Sequence, residues 1–227
     1  MTDDANFKNA NSGLTRAGFI TALAGLGVGI ATPAFAARNA AAEQYVQANA
    51  SAALAALGRG DAATRQAEFG RLMNRFADVP SIASYVLGRY AVQLRANQAL
   101  RTEWVSTFRD YSMAVYEDQL DRYRGNAIRV TGSIERVAGS DVIVASEVAP
   151  RGSQRPLPVR WRILRRGQEW KVVDVSLVLE GNEIWLAQQQ QRDFLAQLDR
   201  TRGDISALIT SVRATTAQMR ARIRARA

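Results

Sequence analysis

The side chains able to do chemistry in this chain are carboxylates, tyrosines and arginines. Among its 227 residues there is no histidine and no cysteine. That removes the usual general base near neutral pH, the thiolate nucleophile, disulfides and the common zinc frameworks. What remains is acid–base work by carboxylate pairs, Asp110 with Glu117 or Asp174 with Glu180. A curved sheet backed by helices could seat such a carboxylate beside a tyrosine in a hollow, so an enzyme of the pocketed-sheet type stays open. Most pairs of this kind are solvated or ion-paired, and arginine is abundant here to pair them. No phosphate loop and no metal-ligand spacing occurs, so neither a cofactor nor a metal is implied. Binding functions therefore lead over catalysis.

The formal charge is +9, and Lys8 and Lys171 are the only lysines. Guanidinium forks meet phosphate bidentately, which draws the surface to nucleic acid, lipid headgroups or an acidic partner. The first segment separates these. Residues 1–16 are polar, Arg16 precedes an apolar run from Ala17 to Ala31, and Ala34-Phe35-Ala36 supplies small residues at −3 and −1 of a cleavage site. This is the order of a secretory signal over residues 1–36, cleaved near Ala36, although its leading charges cancel. The run is shorter than the roughly 20 residues of a spanning helix. Export argues against DNA or RNA as the anionic partner.

One domain is expected over residues 37–212. Ala40 to Leu57 carries Tyr45, Val46, Ala50, Ala53, Leu54 and Leu57 at helical spacing, broken by Gly58 and Gly60. Asp61 can cap a second helix with the stripe Phe69, Leu72, Met73 and Phe76. Asp78 and Pro80 start a third, whose apolar face is Ile82, Val86 and Leu87 before Gly88. The longest helix, about 99–123, presents Trp104, Phe108, Tyr111 and Val115.

The period then changes to two. Ile128, Val130, Gly132 and Ile134 alternate with polar residues, and Val142, Val144 and Val148 follow on a second strand. Beyond the turn-rich PRGSQRP, Val159, Trp161 and Ile163 alternate with arginines, and QEWKVVDVSLVL brings Trp170 and Val172 on a fourth strand. Short connections predict an antiparallel meander, hence an α+β fold in which helices pack over a curved four-stranded antiparallel sheet. Two helices close the chain, one marked by Ile184, Ala187, Phe194 and Leu198, the other by Ile205 to Ile223. Residues 213–227 read as a basic tail whose last residues fray. The aromatic set Trp104, Phe108, Tyr111, Trp161 and Trp170 serves equally as plain core or as a ligand wall.

Two stretches resemble a known family. FADVPSIASYVLGRY contains Asp78, Val79, Pro80 and Ile82, then Val86, Leu87, Gly88 and Tyr90; LRTEWVSTFRDYSMAVYEDQLDRYRG adds Phe108, Tyr111, Tyr116 and Tyr123. With Trp170, Val172, Asp174 and Val175 in WKVVDV, and the later Arg192, Asp193, Phe194 and Gly203-Asp204, they are similar to MlaC-type, or toluene-tolerance, periplasmic phospholipid shuttles. The likeness covers about residues 40–212. It departs at Glu180-Gly181-Asn182-Glu183, where the family's Glu-Gly-x-Ser corner comes sooner after the aspartate.

The resemblance implies a soluble periplasmic carrier with an apolar cleft between helices and sheet. Its implied partners are phospholipid, the lipid-binding ring subunit of an inner-membrane ABC transporter and an outer-membrane lipoprotein–porin complex, with transient contact to membrane surfaces. A hopanoid-type cargo is the alternative within the family, and an envelope adaptor that binds only protein is the alternative outside it. The cleft would be walled by Val86, Leu87, Tyr90, Phe108, Tyr111 and Val115. Its floor would be Ile128, Val130, Ile134, Val142 and Val144, continued by Trp161, Ile163, Trp170 and Val172. Burying a methylene is worth about 0.8 kcal/mol, so a tail of roughly 16 carbons gains on the order of 12 kcal/mol in such a cleft.

Overall fold

The computed structural model describes residues 38–58, 60–120, 127–149, 156–179 and 181–226. The leader, Tyr123, Glu180 and most of the PRGSQRP turn lie outside the described residues. Helix α1 (Ala40–Leu57) is capped by Asn39, whose side chain accepts from the Ala42 N–H. Asp61 caps α2 (Ala62–Phe76), and Asp78 caps α3 (Val79–Tyr85), which has Pro80 in its first turn. A 3-10 turn over Gly88–Val92 and the short α4 (Gln93–Ala96) lead into α5 (Gln98–Leu120).

The sheet follows as a meander, β1 (Ile128–Val137), β2 (Asp141–Val148), β3 (Leu157–Arg166), β4 (Glu169–Leu179) and β5 (Asn182–Trp185), every neighbour antiparallel. The fifth strand corrects the expected four. The longer corner after Asp174 does not lead straight into a helix; it folds back as a hairpin, with Leu179 opposite Asn182 and Ser176 opposite Trp185. Glu183 secures it by accepting from the Ser176 hydroxyl at 2.7 Å and pairing with Arg160. Ile184, expected in a helix, therefore sits in β5, and α6 (Leu186–Arg200) begins only afterwards.

A second correction concerns β1. Val130 pairs with Ser146 but Gly132 pairs with Ala145, so Thr131 is an extra residue. One added residue inverts the alternation beyond it. Ile128 faces inward, whereas Ile134, expected on the same face, is 57% exposed and Ser133 is buried in its stead. Ser133 then holds α1 to the sheet: its hydroxyl accepts from the Asn39 N–H at 2.8 Å and donates to Glu43 at 2.7 Å. The free edge of β1 is closed by Gln47, which donates to the Ile128 carbonyl and accepts from the Val130 N–H, each at 2.9 Å. Beyond the reach of β5, the edge of β4 is met by a bridge from Ala77 to Val172 and by the Asp78 N–H, 2.9 Å from the Val172 carbonyl. These contacts cover the start of the β1 edge and the part of β4 that β5 leaves open, which blunts strand-to-strand association there.

A third correction concerns the chain's end. Helix α7 (Ile205–Arg226) continues through the residues expected to fray. Met219 and Ile223 are buried, and Arg220 forms a short ion pair with buried Glu117 of α5. The stripe that begins at Ile205 simply does not stop at residue 212.

Two apolar clusters result. Helices α2, α3, α5, α6 and α7 enclose one around Trp104, Phe108 and Phe194, with Trp104 donating from Nε1 to the Ala83 carbonyl at 2.6 Å. The second lies between α1 and the sheet, built on Val46, Val142, Val144, Ile163 and Trp170.

Candidate functional site

Where the two clusters meet they do not close. A cavity of about 90 Å³ lies between Ala50, Ala53 and Leu54 of α1, Phe69 and Met73 of α2, Phe108 of α5 and the sheet residues Val159, Trp161, Val172, Val175 and Leu177. The local reason is visible in the residues. Alanines at 50 and 53 stand where longer side chains would reach into the gap, and Phe69, Met73 and Phe76 of α2 line it as well. Trp161 is fixed on the floor by donating from Nε1 to Ser146 Oγ at 2.8 Å. Phe76 leans on it with ring centroids 5.5 Å apart. An apolar void of this kind stays dry unless a guest fills it, and 90 Å³ is smaller than the roughly 150 Å³ that admits a benzene ring.

One corner of this apolar space is polar. Ser112 and Tyr116, four residues apart on α5 and so on one face, line it together with Asp174 of β4. The β4 register shifts between Arg162 and Ile163, leaving Val173 unpaired, and Val173 and Asp174 both line the cavity. Asp174 Oδ1 accepts from the Val175 N–H and from the Ala187 N–H, each at 2.8 Å. Trp185 supplies no side-chain cap to α6, so Asp174 reaches across to do so. Burial pushes its carboxyl above the ordinary carboxylate value, against the opposing pull of those two N–H groups and of Arg162. Burial, and secondarily the Asp174 charge, pushes the Tyr116 hydroxyl well up, so it stays neutral. Ser112 is 2% exposed and, among the described residues, its hydroxyl has no partner.

Four of the side chains assigned to the cleft from the sequence line this cavity: Phe108, Ile128, Trp161 and Val172. Val86 and Leu87 are buried inside the helical cluster, with Tyr90 and Tyr111 packed on it. Val115 is half-buried on α5. Val142, Val144, Ile163 and Trp170 belong to the sheet cluster, and Val130 packs against it. Tyr90 has another task as well: its ring lies so close to Gly203 that a Cβ there would come within 2.6 Å, and its hydroxyl donates to Asp199 at 2.7 Å. Gly203 also has φ +83, which only glycine adopts freely, so this turn ties two distant motifs together.

The residues that sequence reasoning passed over as wall are those of α1 and α2. Their stripe was legible as an apolar helix face; the signal for a hollow was the shortness of Ala50 and Ala53. Asp110 and Glu117 do not form an acid–base couple, and Glu180, the expected mate of Asp174, lies outside the described residues. Glu117 pairs with Arg220 and Asp110 with Arg109, while Asp174 is taken up as a helix cap. Among the described residues no group of three or more carboxylates could hold a metal ion, and no helix is long and apolar enough to cross a membrane.

Comparison with known proteins agrees with the fold. A structure similar to this one is a phospholipid-binding protein from Ralstonia solanacearum, solved in complex with a phospholipid. The two share 22% identity, the match covers 78% of this chain and 98% of that one, and the TM-score is 0.64, which speaks for a common α+β fold. No curated protein sequence matches the chain. Residues 47–214 of the 227 match the family model described as MlaC protein, and the chain belongs to that family.

Proposed function

We propose that this protein is a soluble periplasmic lipid carrier that shelters phospholipid acyl chains in the cavity between its helices and sheet. In this reading it passes lipid between an inner-membrane ABC transporter ring subunit and an outer-membrane lipoprotein–porin complex. It acts as a binding protein and not as an enzyme. The observation that carries the reading is the apolar cavity of about 90 Å³ at the junction of two otherwise packed clusters. Family membership and the phospholipid-bound structure with the same fold support it.

The physics is that of moving a hydrocarbon through water. Each buried methylene is worth about 0.8 kcal/mol, and a carrier supplies that burial away from any bilayer. The tail enters between α1–α2 and the sheet, against Phe108, Ile128, Trp161 and Val172. The headgroup remains in water, where exposed arginines are plentiful. The test is mass spectrometry of an organic extract of the gently purified mature protein, which is expected to hold phospholipid in near-stoichiometric amount. A lipid-free protein that also fails to take up phospholipid from vesicles would end the proposal.

A further inference from the structure

We infer that the cavity selects a guest that carries a hydroxyl group on its hydrocarbon part, read by Ser112 and Tyr116 of α5 beside Asp174. This rests on the carrier reading and deepens it by naming a class of cargo. The starting observation is that Ser112 Oγ is enclosed and, among the described residues, has no hydrogen-bond partner. A hydroxyl sealed from water without a partner costs free energy that an alanine would not. A serine within a helix normally returns its hydroxyl to a carbonyl one turn back, as Thr102, Thr210 and Thr216 do here. Ser112 does not, and it lies on the cavity wall.

The second observation is what stands beside it. Tyr116 lines the same corner one turn on, and burial keeps its hydroxyl protonated. The remaining lining is almost wholly apolar, so these two hydroxyls and the Asp174 carboxylate form a single polar spot in an oily space. Its chemistry is specific. Serine and tyrosine hydroxyls both donate and accept, whereas an ionised carboxylate only accepts. A guest hydroxyl can accept from one member and donate to another. An ester carbonyl only accepts and would lie against the carboxylate, and a plain methylene leaves the Ser112 hydroxyl unmatched. Sites built to hydrogen-bond a guest hydroxyl discriminate strongly against the analogue that lacks it.

The hydroxyl could arrive on an acyl chain or on a polycyclic ring, and the test separates these. The full mature chain is stripped of lipid and titrated with stearate and with its 2-, 3- and 12-hydroxy derivatives. A triterpene alcohol and its parent hydrocarbon form a second pair. At least one hydroxylated member of either pair is expected to bind about fivefold or more tightly than its deoxy counterpart, the effect of one good buried hydrogen bond. Ser112→Ala and Tyr116→Phe are each expected to reduce that ratio towards one. Ser112→Ala should also leave the melting temperature of the empty protein unchanged or higher, since it deletes an orphan hydroxyl. Equal binding of both members of every pair, or a preference that survives both substitutions, overturns the inference and leaves the carrier reading standing. Failure to bind any of the guests, phospholipid included, overturns both.

Discussion

Asp174 shows how one side chain can serve fold and cavity at once. It is a buried carboxylate at the junction of β4, α6 and the hollow, and it takes the place of the N-cap that Trp185 cannot provide. Asp174→Ala removes that cap and is expected to lower stability by about 1–2 kcal/mol in urea unfolding. Asp174→Asn keeps an acceptor but cannot ionise, which makes it the informative variant. Burial sets the folded carboxyl above its ordinary value, so ionisation is harder in the fold than in the unfolded chain. For a raised carboxyl, the contribution to stability is fully present below the unfolded value and is lost as pH rises through the folded one. The asparagine variant should therefore gain on the wild type as pH rises above the ordinary carboxylate range, from about pH 4 upward. A difference in unfolding free energy that stays flat over that range would show the carboxyl to be no harder to ionise in the fold than outside it.

At the scale of elements, the α5–α7 pairing decides whether the basic C-terminal stretch is an appendage or a part of the body. Glu117 is 3% exposed and faces Arg220 across the two helices, with Met219 and Ile223 buried alongside. Breaking a buried pair from one side leaves an uncompensated charge, at a cost of about 3–5 kcal/mol, whereas replacing both partners by apolar residues is often neutral or better. Arg220→Met alone is expected to cost that much in urea unfolding, and Glu117→Leu combined with Arg220→Met to recover most of it. If the single variant unfolds like wild type, α7 is not anchored there. This element was half legible in the sequence. The phase of Ile205, Leu208, Ile209 and Val212 continued at Met219 and Ile223, but a run rich in arginine reads as solvated unless its carboxylate partner, about a hundred residues away, is known. The caps at Asp61 and Asp78 were legible because they act locally, whereas the α6 cap from Asp174 of β4 was not. The phase of β1 beyond Thr131 was not, since an inserted residue costs nothing in local pattern; Gly132, a strand-interior glycine, was the available sign. The fifth strand escaped for a similar reason, since its four residues pair only with β4.

For the whole molecule, the central point is that a void has an energetic consequence. Unfilled core volume destabilises by about 24 cal/mol per Å³, so a cavity of about 90 Å³ corresponds to about 2 kcal/mol forgone by the empty protein. A domain selected only to be stable would fill it, and the shortness of Ala53 is what prevents this. The position of the hollow was not legible from the sequence, because it depends on how far α1 and α2 stand from the sheet and not on the pattern of any one element. It is nevertheless open to a direct test. Ala53→Leu places a branched side chain into the space from a half-buried position on the wall. The variant is expected to be more stable when empty, by up to about 1–2 kcal/mol, which for a chain of this size raises the melting temperature by about 2–8 °C. It should also lose its phospholipid, and with it the ligand-dependent rise in melting temperature that a guest confers on a protein it binds only when folded. Gain of stability and loss of cargo from a single substitution would place the guest in this hollow, since a residue that merely supports the fold cannot produce both. Retention of stoichiometric lipid by a stable Ala53→Leu protein would move the binding site elsewhere.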